Sequence, residues 1–397
     1  MKKLLVVIPT KNQKSNLLKI VTILKASLTE IDHQIIISNN SNRDLDVKLS
    51  NLGVIQLKTP HLFITAEQHL FWLIEQVSGD YVWFLGDDDI PIAEGVKKLS
   101  TILNLSDFDC YAFNGLRERV GRKTPIKMIS KSDAYQGKIQ YFYKNVGLLN
   151  GPASISLYIM KMEFLKREYI NNIENLKAPI YSHLTLFIQS FNTANFSYNP
   201  IILIKHGKSD KEEGKAITRN WVEHSKESEN FYNFPWTLGL LRNIDYLVKA
   251  NVLKKDFLKN LVETGSRNQK YLLTAQIEDN IRQIFVSAKA AKYRITNDEL
   301  EELKHYVSEI EGFSEEIKMI LSSSEPDSLI LGKYPHINPK LGYLRHKKTV
   351  LKHRSFILFK QMPKDFYWIF VTKLWVYLPS PIKLVLKKLK FRSKKMP

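Results

Sequence analysis

The chain is poor in cysteine. Its 397 residues hold one, Cys110, which excludes an internal disulfide framework and any cysteine-rich zinc or iron–sulfur centre. A reducing compartment is the expectation. Long apolar runs are missing too. The longest aromatic and apolar stretch, Phe366 to Leu378, spans 13 residues, is interrupted by Lys373 and stops at Pro379, whereas a bilayer-spanning helix needs about 20. The opening run Leu4-Leu5-Val6-Val7-Ile8 is five residues long and ends at Pro9, below the roughly 7–15 of a secretory h-region. No export is expected. There is no Walker A sequence, no Gly-x-Gly-x-x-Gly fingerprint and no Ser/His/Asp triad order. Cys110 lies in an apolar segment and reads as core, not nucleophile.

Acidic residues are almost absent from the C-terminal end. From Lys333 onward there are 17 Lys and Arg against one acid, Asp365, while the preceding 332 residues carry 42 basic and 39 acidic side chains. The net charge of +19 is therefore concentrated in the last 65 residues. A near-neutral body with a basic end is unlike a protein that coats nucleic acid, and no nucleic-acid partner is expected. With 44% hydrophobic and 25% charged residues, the chain as a whole has an ordinary globular composition, so wholesale disorder is excluded.

The first hundred residues alternate short apolar runs with segments of helical period. Leu4–Ile8, Gln34–Ser38, Val54–Leu57 and Tyr81–Leu85 read as strands. Helices are expected between them over 17–28, 67–77 and 94–103. Further strands are expected over 109–116, 154–160 and 200–205, a loop or hairpin over 117–137, and a helix over 181–191. This alternation predicts βαβ units in a mainly parallel sheet, where ligands bind outside the carboxyl ends of the strands. Three polar clusters fall there: Thr10-Lys11-Asn12, Asn39-Asn40-Ser41 and Asp87-Asp88-Asp89. Three adjacent carboxylates repel one another, and a hard divalent cation with phosphate oxygens is the usual counterweight. The plainer alternative is a solvated turn capping the next helix.

In order and spacing, these segments resemble the family 2 class of GT-A nucleotide-sugar glycosyltransferases, especially the bacterial branch that builds surface polysaccharides. Leu5-Val6-Val7-Ile8-Pro9-Thr10-Lys11-Asn12 resembles its opening strand. Gln34 to Asp44 resembles its second strand and Asp-Asn-x-Ser-x-Asp loop. Gly79 to Asp89 resembles its Gly-Asp-Tyr strand and DxD motif. The resemblance implies a GT-A-like sheet flanked by helices and transfer of a sugar from a nucleoside-diphosphate sugar to an acceptor hydroxyl, with inversion.

It further implies that Pro9, Thr10, Asn12, Asn39, Asn40, Asp87 and Asp88 form the nucleotide-sugar site. Asn39 would face the nucleobase, Asp87 the ribose or sugar, and Asp89 a Mg²⁺ or Mn²⁺ ion. The family usually has Asp where this chain has Asn39; Asn both accepts and donates, so uracil and cytosine both stay open. In this resemblance His206, after the last sheet strand, would touch the metal and Lys205 the diphosphate, with the loop 207–214 closing over the site. His183 stands where many members place the acid that serves as general base. Imidazole suits that role because its pKa lies near neutrality. Glu163 and Glu168 are the alternative bases. Gly151 to Ser154 would border the acceptor.

From about 236 to 323 the pattern is helical, over segments such as 238–250, 255–263 and 298–309. The aromatic run over 366–378 and the mixed Leu and Lys of 382–391 suit a bilayer interface. The expected organisation is a catalytic domain over 1–230, a helical domain over 231–325 and a basic, aromatic tail over 326–397 docking on an anionic membrane. The setting would be the cytoplasmic face of the inner membrane, with a glycan or lipid-linked acceptor, in capsule, O-antigen or lipooligosaccharide synthesis. Two other readings remain at this stage: a nucleotidyl- or sugar-phosphate transferase on a similar fold, and a non-enzymatic membrane or RNA binder.

Overall fold

The computed structural model describes residues 2–11, 16–42, 44–63, 66–117, 125–129, 131–148, 154–170, 185, 190, 193–206, 233–264, 270–290 and 295–333. Everything described lies within residues 1–340, which form one compact unit.

The amino-terminal half runs β1 (Lys3–Thr10), α1 (Leu17–Ser27), β2 (Asp32–Asn39), α2 (Val47–Ser50), β3 (Ile55–Lys58), α3 (Ala66–Gln76), β4 (Tyr81–Phe84), β5 (Ile90–Pro91), α4 (Ala93–Lys97), α5 (Leu99–Leu105), β6 (Cys110–Arg117), β7 (Ile126–Lys127) and β8 (Tyr135–Gly137). Then come α6 (Ile139–Val146), β9 (Tyr158–Lys161), α7 (Met162–Ile170) and β10 (Phe196–His206). The main sheet is ordered β3-β2-β1-β4-β9-β6-β10-β5. β1, β2, β3 and β4 pair in parallel, and β10 is parallel to β6. β9 is antiparallel to both β4 and β6. β6 and β10 therefore point the same way as β1 and β4, and their carboxyl ends share one edge. The sheet is mixed and mainly parallel, flanked by helices: the expected GT-A-like architecture.

The apolar runs explain the core. Leu4 to Ile8 and Tyr81 to Leu85 are buried on both faces, as central parallel strands are when helices cover each side. Full burial of each such side chain stabilises by about 1.5–3 kcal/mol. At the opposite, amino-terminal edge, Asp107 collects Lys2 Nζ at 3.2 Å, Lys161 Nζ at 3.0 Å and the Tyr81 hydroxyl at 2.9 Å. These donors hold its carboxyl well below the usual range, the Lys161 bond first among them. This cluster ties β1, β4, β6 and β9 together far from the carboxyl edge.

Three local expectations are corrected. The helix over 94–103 breaks into α4 and α5, with Lys98 closing the first and opening the second. The strand over 154–160 starts with a single 3₁₀ turn, Ile155–Leu157, and only then enters the sheet as β9. The helix over 255–263 is a 3₁₀ turn, Leu258–Asn260, followed by strand β11 (Val262–Thr264), which pairs antiparallel with β12 (Lys270–Leu272). The Leu258 and Leu261 spacing fits a helical face, but Leu273 N–H bonds back to Leu261 O at 3.0 Å and draws the chain into a hairpin.

Otherwise the carboxyl-terminal part is helical: α8 (Asn233–Lys249), α9 (Leu273–Ala290), α10 (Asn297–Glu309), α11 (Glu315–Ser322) and α12 (Pro326–Lys333). Thr296 and Glu299 form a reciprocal capping box at the start of α10, worth about 1 kcal/mol. Arg242 on α8 forks onto Glu302 on α10 at 2.5 and 2.7 Å. Among the described residues no helix is long and apolar enough to cross a membrane.

Candidate active site

The register of the parallel strands sets the site. Thr10 closes β1 directly opposite Asn39, which closes β2, and Asn40 N–H bonds to Thr10 O at 2.8 Å. β4 leaves the sheet after Leu85, whose N–H bonds to Val7 O at 2.9 Å. The next four residues, Gly86 to Asp89, form a turn closed by Asp89 N–H to Gly86 O at 3.0 Å. Two of the three expected polar clusters, 39–41 and 87–89, thus meet beside Thr10 on one edge. Asn12 of the first cluster lies outside the described residues.

Each acid of the turn is treated differently. Asp87 is 8% exposed and accepts a 2.6 Å hydrogen bond from the Thr10 hydroxyl. Asp89 is 3% exposed, and its Oδ1 lies 2.7 Å from His206 Nδ1. Asp88 is half-buried. The Asp89 carboxylate raises the His206 pKa above the ordinary imidazole value, and burial opposes the rise. The contact spans 117 residues of sequence and has a simple origin. β5 follows the acidic turn at once and pairs antiparallel with the end of β10, Ile90 opposite Lys205. His206 is the next residue. Lys205 is half-buried at the same edge.

The Asn39 loop is braced from behind. Asn39 Oδ1 accepts from the Ser41 hydroxyl at 2.8 Å. The Asn40 amide clamps Phe63, donating to its carbonyl at 3.0 Å and accepting from its N–H at 2.8 Å. The side chain of Asn40 is thus turned to the chain itself. Phe63 stacks on His69, which stacks on Trp72. His69 Nε2 sits 2.7 Å from the Ser38 hydroxyl. Ser38 and His69 are 0% and 3% exposed, so this Ser–His pair is a packing element with no access for a substrate. Burial pushes the His69 pKa down to about 4, leaving a neutral ring. Pro9 pairs with Ser38 across the strands and is half-buried.

Among the described residues no group of three or more His, Cys, Asp or Glu side chains is arranged to hold a metal ion. Asp89 and His206 are a pair, one oxygen and one nitrogen donor. That set suits a divalent cation that arrives with a diphosphate, since Mg²⁺-type ions are commonly held by one or two carboxylates plus substrate phosphates.

Of the candidate bases, His183 lies outside the described residues. Glu163 begins α7 at the wrong edge: Met162 N–H bonds to Asp80 O at 2.8 Å, at the amino end of β4, because β9 runs antiparallel to β4. Glu168 on the same helix pairs with its neighbour Arg167 at 3.2 Å. Cys110 is fully buried and its thiol is pushed up by that burial, which leaves it inert. Ser41 belongs to the 39–41 cluster that the sequence marks. Phe63, His69 and Ser156 escaped the sequence reading.

Residues 5–172 match the model of the family described as glycosyl transferase family 2. No curated protein matches the sequence. Among solved structures, Staphylococcus aureus TarS 1–349 is similar at TM-score 0.44 and 14% identity, over 84% of this chain and 91% of that one. The same fragment in complex with UDP-GlcNAc gives 0.44 and 13%, over 85% and 92%. Glucosyl-3-phosphoglycerate synthase from Mycobacterium tuberculosis, solved with Mn²⁺, UDP and glucosyl-3-phosphoglycerate, gives 0.38 and 16%, over 56% and 79%. Residues 5–172, under half of the chain, thus resemble a glycosyl transferase family 2 domain, and glycosyltransferase is the enzyme class that this match supports.

Proposed function

We propose that this glycosyltransferase binds a nucleoside-diphosphate sugar at the carboxyl edge of β1, β2 and β4 and transfers the sugar to a glycan or lipid-linked acceptor by a single, inverting displacement. The observation that carries this reading is the acidic turn. Its two most buried carboxylates are held by different elements, Asp87 by Thr10 and Asp89 by His206. A solvated capping turn would need neither.

In this reading the residues divide the work. Asp87, fixed by Thr10, accepts from hydroxyls of the ribose or sugar. Pro9, Asn12, Asn39, Asn40 and Asp88 shape the nucleotide pocket, with Asn39 at the base; the inward-turned amide of Asn40 makes its share a matter of loop shape. Asp89 and His206 would hold Mg²⁺ or Mn²⁺, which when bound offsets charge on the leaving diphosphate. Lys205 lies one residue from His206 and adds positive charge to the same edge. His183 takes the acceptor proton; its pKa class fits a base working near neutrality.

The basic stretch 326–397 is assigned to docking on an anionic membrane surface. Each Lys or Arg near such a surface contributes about 1 kcal/mol, so its 17 basic residues from Lys333 onward are ample. The setting that fits is assembly of a bacterial surface polysaccharide at the cytoplasmic membrane face.

The test is a thermal-shift screen of UDP, CDP, GDP, dTDP and CMP with Mn²⁺, on the wild type and on Asp89→Ala. A metal-dependent rise with one nucleoside diphosphate, lost in the variant, supports the reading and names the donor class. No rise with any nucleotide in folded protein overturns it.

A further inference from the structure

The backbone of the acidic turn is anchored from outside by a residue no sequence motif marks. Leu85 makes the last bond of β4 to β1. Beyond it the Gly86 carbonyl is used inside the turn, by Asp89 N–H. The Gly86 N–H has left the ladder, and it donates to the Ser156 hydroxyl at 2.9 Å. Ser156 is 1% exposed, so water has no ready access to replace it. The same residue is tied a second time to β4: its carbonyl accepts from Trp83 Nε1 at 2.9 Å, and Trp83 is fully buried. Ser156 therefore grips β4 on both sides of the point where the strand leaves the sheet.

The grip falls where the carboxylates are. A Cβ placed on Gly86 would lie 3.1 Å from Asp88 Oδ1, 3.2 Å from Asp89 Oδ2 and 3.4 Å from Ser156 Oγ. Two acidic side chains fold over Gly86, with the serine hydroxyl beside them. A shift of the Gly86 peptide moves these oxygens. The 3₁₀ turn Ile155–Leu157 delivers Ser156 to this spot at the entry to β9. The strand's antiparallel course places that entry at the carboxyl end of β4.

We propose that Ser156 is a positioning residue for donor binding. It touches neither nucleotide nor metal. It fixes the Gly86 peptide, and through it the alignment of Asp89 with His206. Removing the hydroxyl leaves a half-buried N–H without its acceptor, a state a protein relieves by moving the backbone. The turn would then relax out of the geometry that lets Asp89 and His206 act on one ion. The inference rests on the nucleotide-sugar reading of this site.

The experiment compares wild type, Ser156→Ala and Ser156→Cys by calorimetric titration with UDP, CDP, GDP and dTDP, each with and without Mn²⁺. Cysteine keeps the shape and offers only a weak acceptor, so it reads the same quantity should the alanine variant fold poorly. For the nucleotide that the wild type binds, the expected result is a fall of fivefold or more in the affinity gain produced by Mn²⁺, with metal-free affinity within twofold of wild type. A merely structural role predicts a lower Tm and an unchanged metal gain, and that result overturns the proposal. So does a wild type that binds a nucleotide equally well with and without Mn²⁺, although nucleotide binding itself then stands. A folded wild type that binds none of the four overturns the nucleotide-sugar reading and the Ser156 role together.

Discussion

Thr10 and Asp87 are 77 residues apart in sequence and 2.6 Å apart in space, the hydroxyl donating to the carboxylate. Both are at least nine-tenths buried, so the bond points the carboxylate without loss to solvent. A hydrogen bond to a charged, buried group is worth about 1.5–3 kcal/mol. Thr10→Val keeps the shape and removes the donor. It is expected to weaken binding of the cognate nucleoside diphosphate by about 10- to 100-fold, read by calorimetry, with circular dichroism unchanged. Binding within twofold of wild type would show that Asp87 is oriented by something else.

His206 adds a nitrogen donor beside the Asp89 carboxylate. Imidazole favours transition metals, while carboxylate oxygens suit Mg²⁺ and Mn²⁺ alike. His206→Gln is therefore expected to raise the half-saturating Mn²⁺ concentration in nucleotide binding by about tenfold and to change the Mg²⁺ value less. The ratio of the two concentrations is the measurement. Equal shifts for both ions would remove the imidazole from the metal's surroundings.

The parts of this fold that could be read from sequence are those set by local chemistry. Runs such as Leu4–Ile8 and Tyr81–Leu85 are apolar without alternation, which fits a strand covered on both faces. The 87–89 turn announces itself through charge repulsion. The parts that could not be read need a neighbour from far along the chain. Nothing near Ser156 says that it receives the Gly86 N–H. Nothing near Asn40 says that its amide is spent on Phe63. The segment 255–263 has helical spacing, yet the pull of Leu273 on Leu261 makes it a hairpin arm. Helices α6 and α7 went unread as well, although Ile139, Phe142, Tyr143 and Val146 of α6 recur at helical spacing. Their faces are completed by β10 aromatics such as Phe196 against Phe142 and by α3 residues such as Glu75 against Tyr169.

Gly95 gives a prediction of pure sterics. It sits in α4, where a Cβ would come within 2.1 Å of the Ile202 carbonyl oxygen. That atom belongs to the backbone of β10, the strand that ends in His206. Ile92 N–H already bonds to Leu203 O at 2.8 Å, fixing the start of the helix. Gly95→Ala must push α4 off β10 and is expected to destabilise by roughly 3 kcal/mol, within the upper range of overpacking. Tm should fall by about 4 °C for a unit of residues 1–340. A Tm within 2 °C of wild type would show that α4 has room to shift. Loss of Mn²⁺-dependent binding well below the melting range would show the strain passing along β10 to His206.

His69 makes stability depend on acid. Burial between Phe63 and Trp72 puts its native pKa at about 4, against 6.5 for an exposed ring. Between those values the unfolded chain takes up a proton that the folded one refuses, so stability falls as pH drops from about 6.5 toward 4 and is fully restored above 6.5. A difference of that size corresponds to roughly 3 kcal/mol over the whole window. Urea unfolding of wild type should therefore lose most of this between pH 7 and pH 4.5. His69→Gln keeps a polar atom for Ser38 and removes the titration, so its unfolding free energy is expected to fall less over the same interval by about 2–3 kcal/mol. Parallel loss in the two proteins would mean that the ring charges without disturbing the stack. The Asn39 loop would then be braced by the Asn40–Phe63 clamp alone.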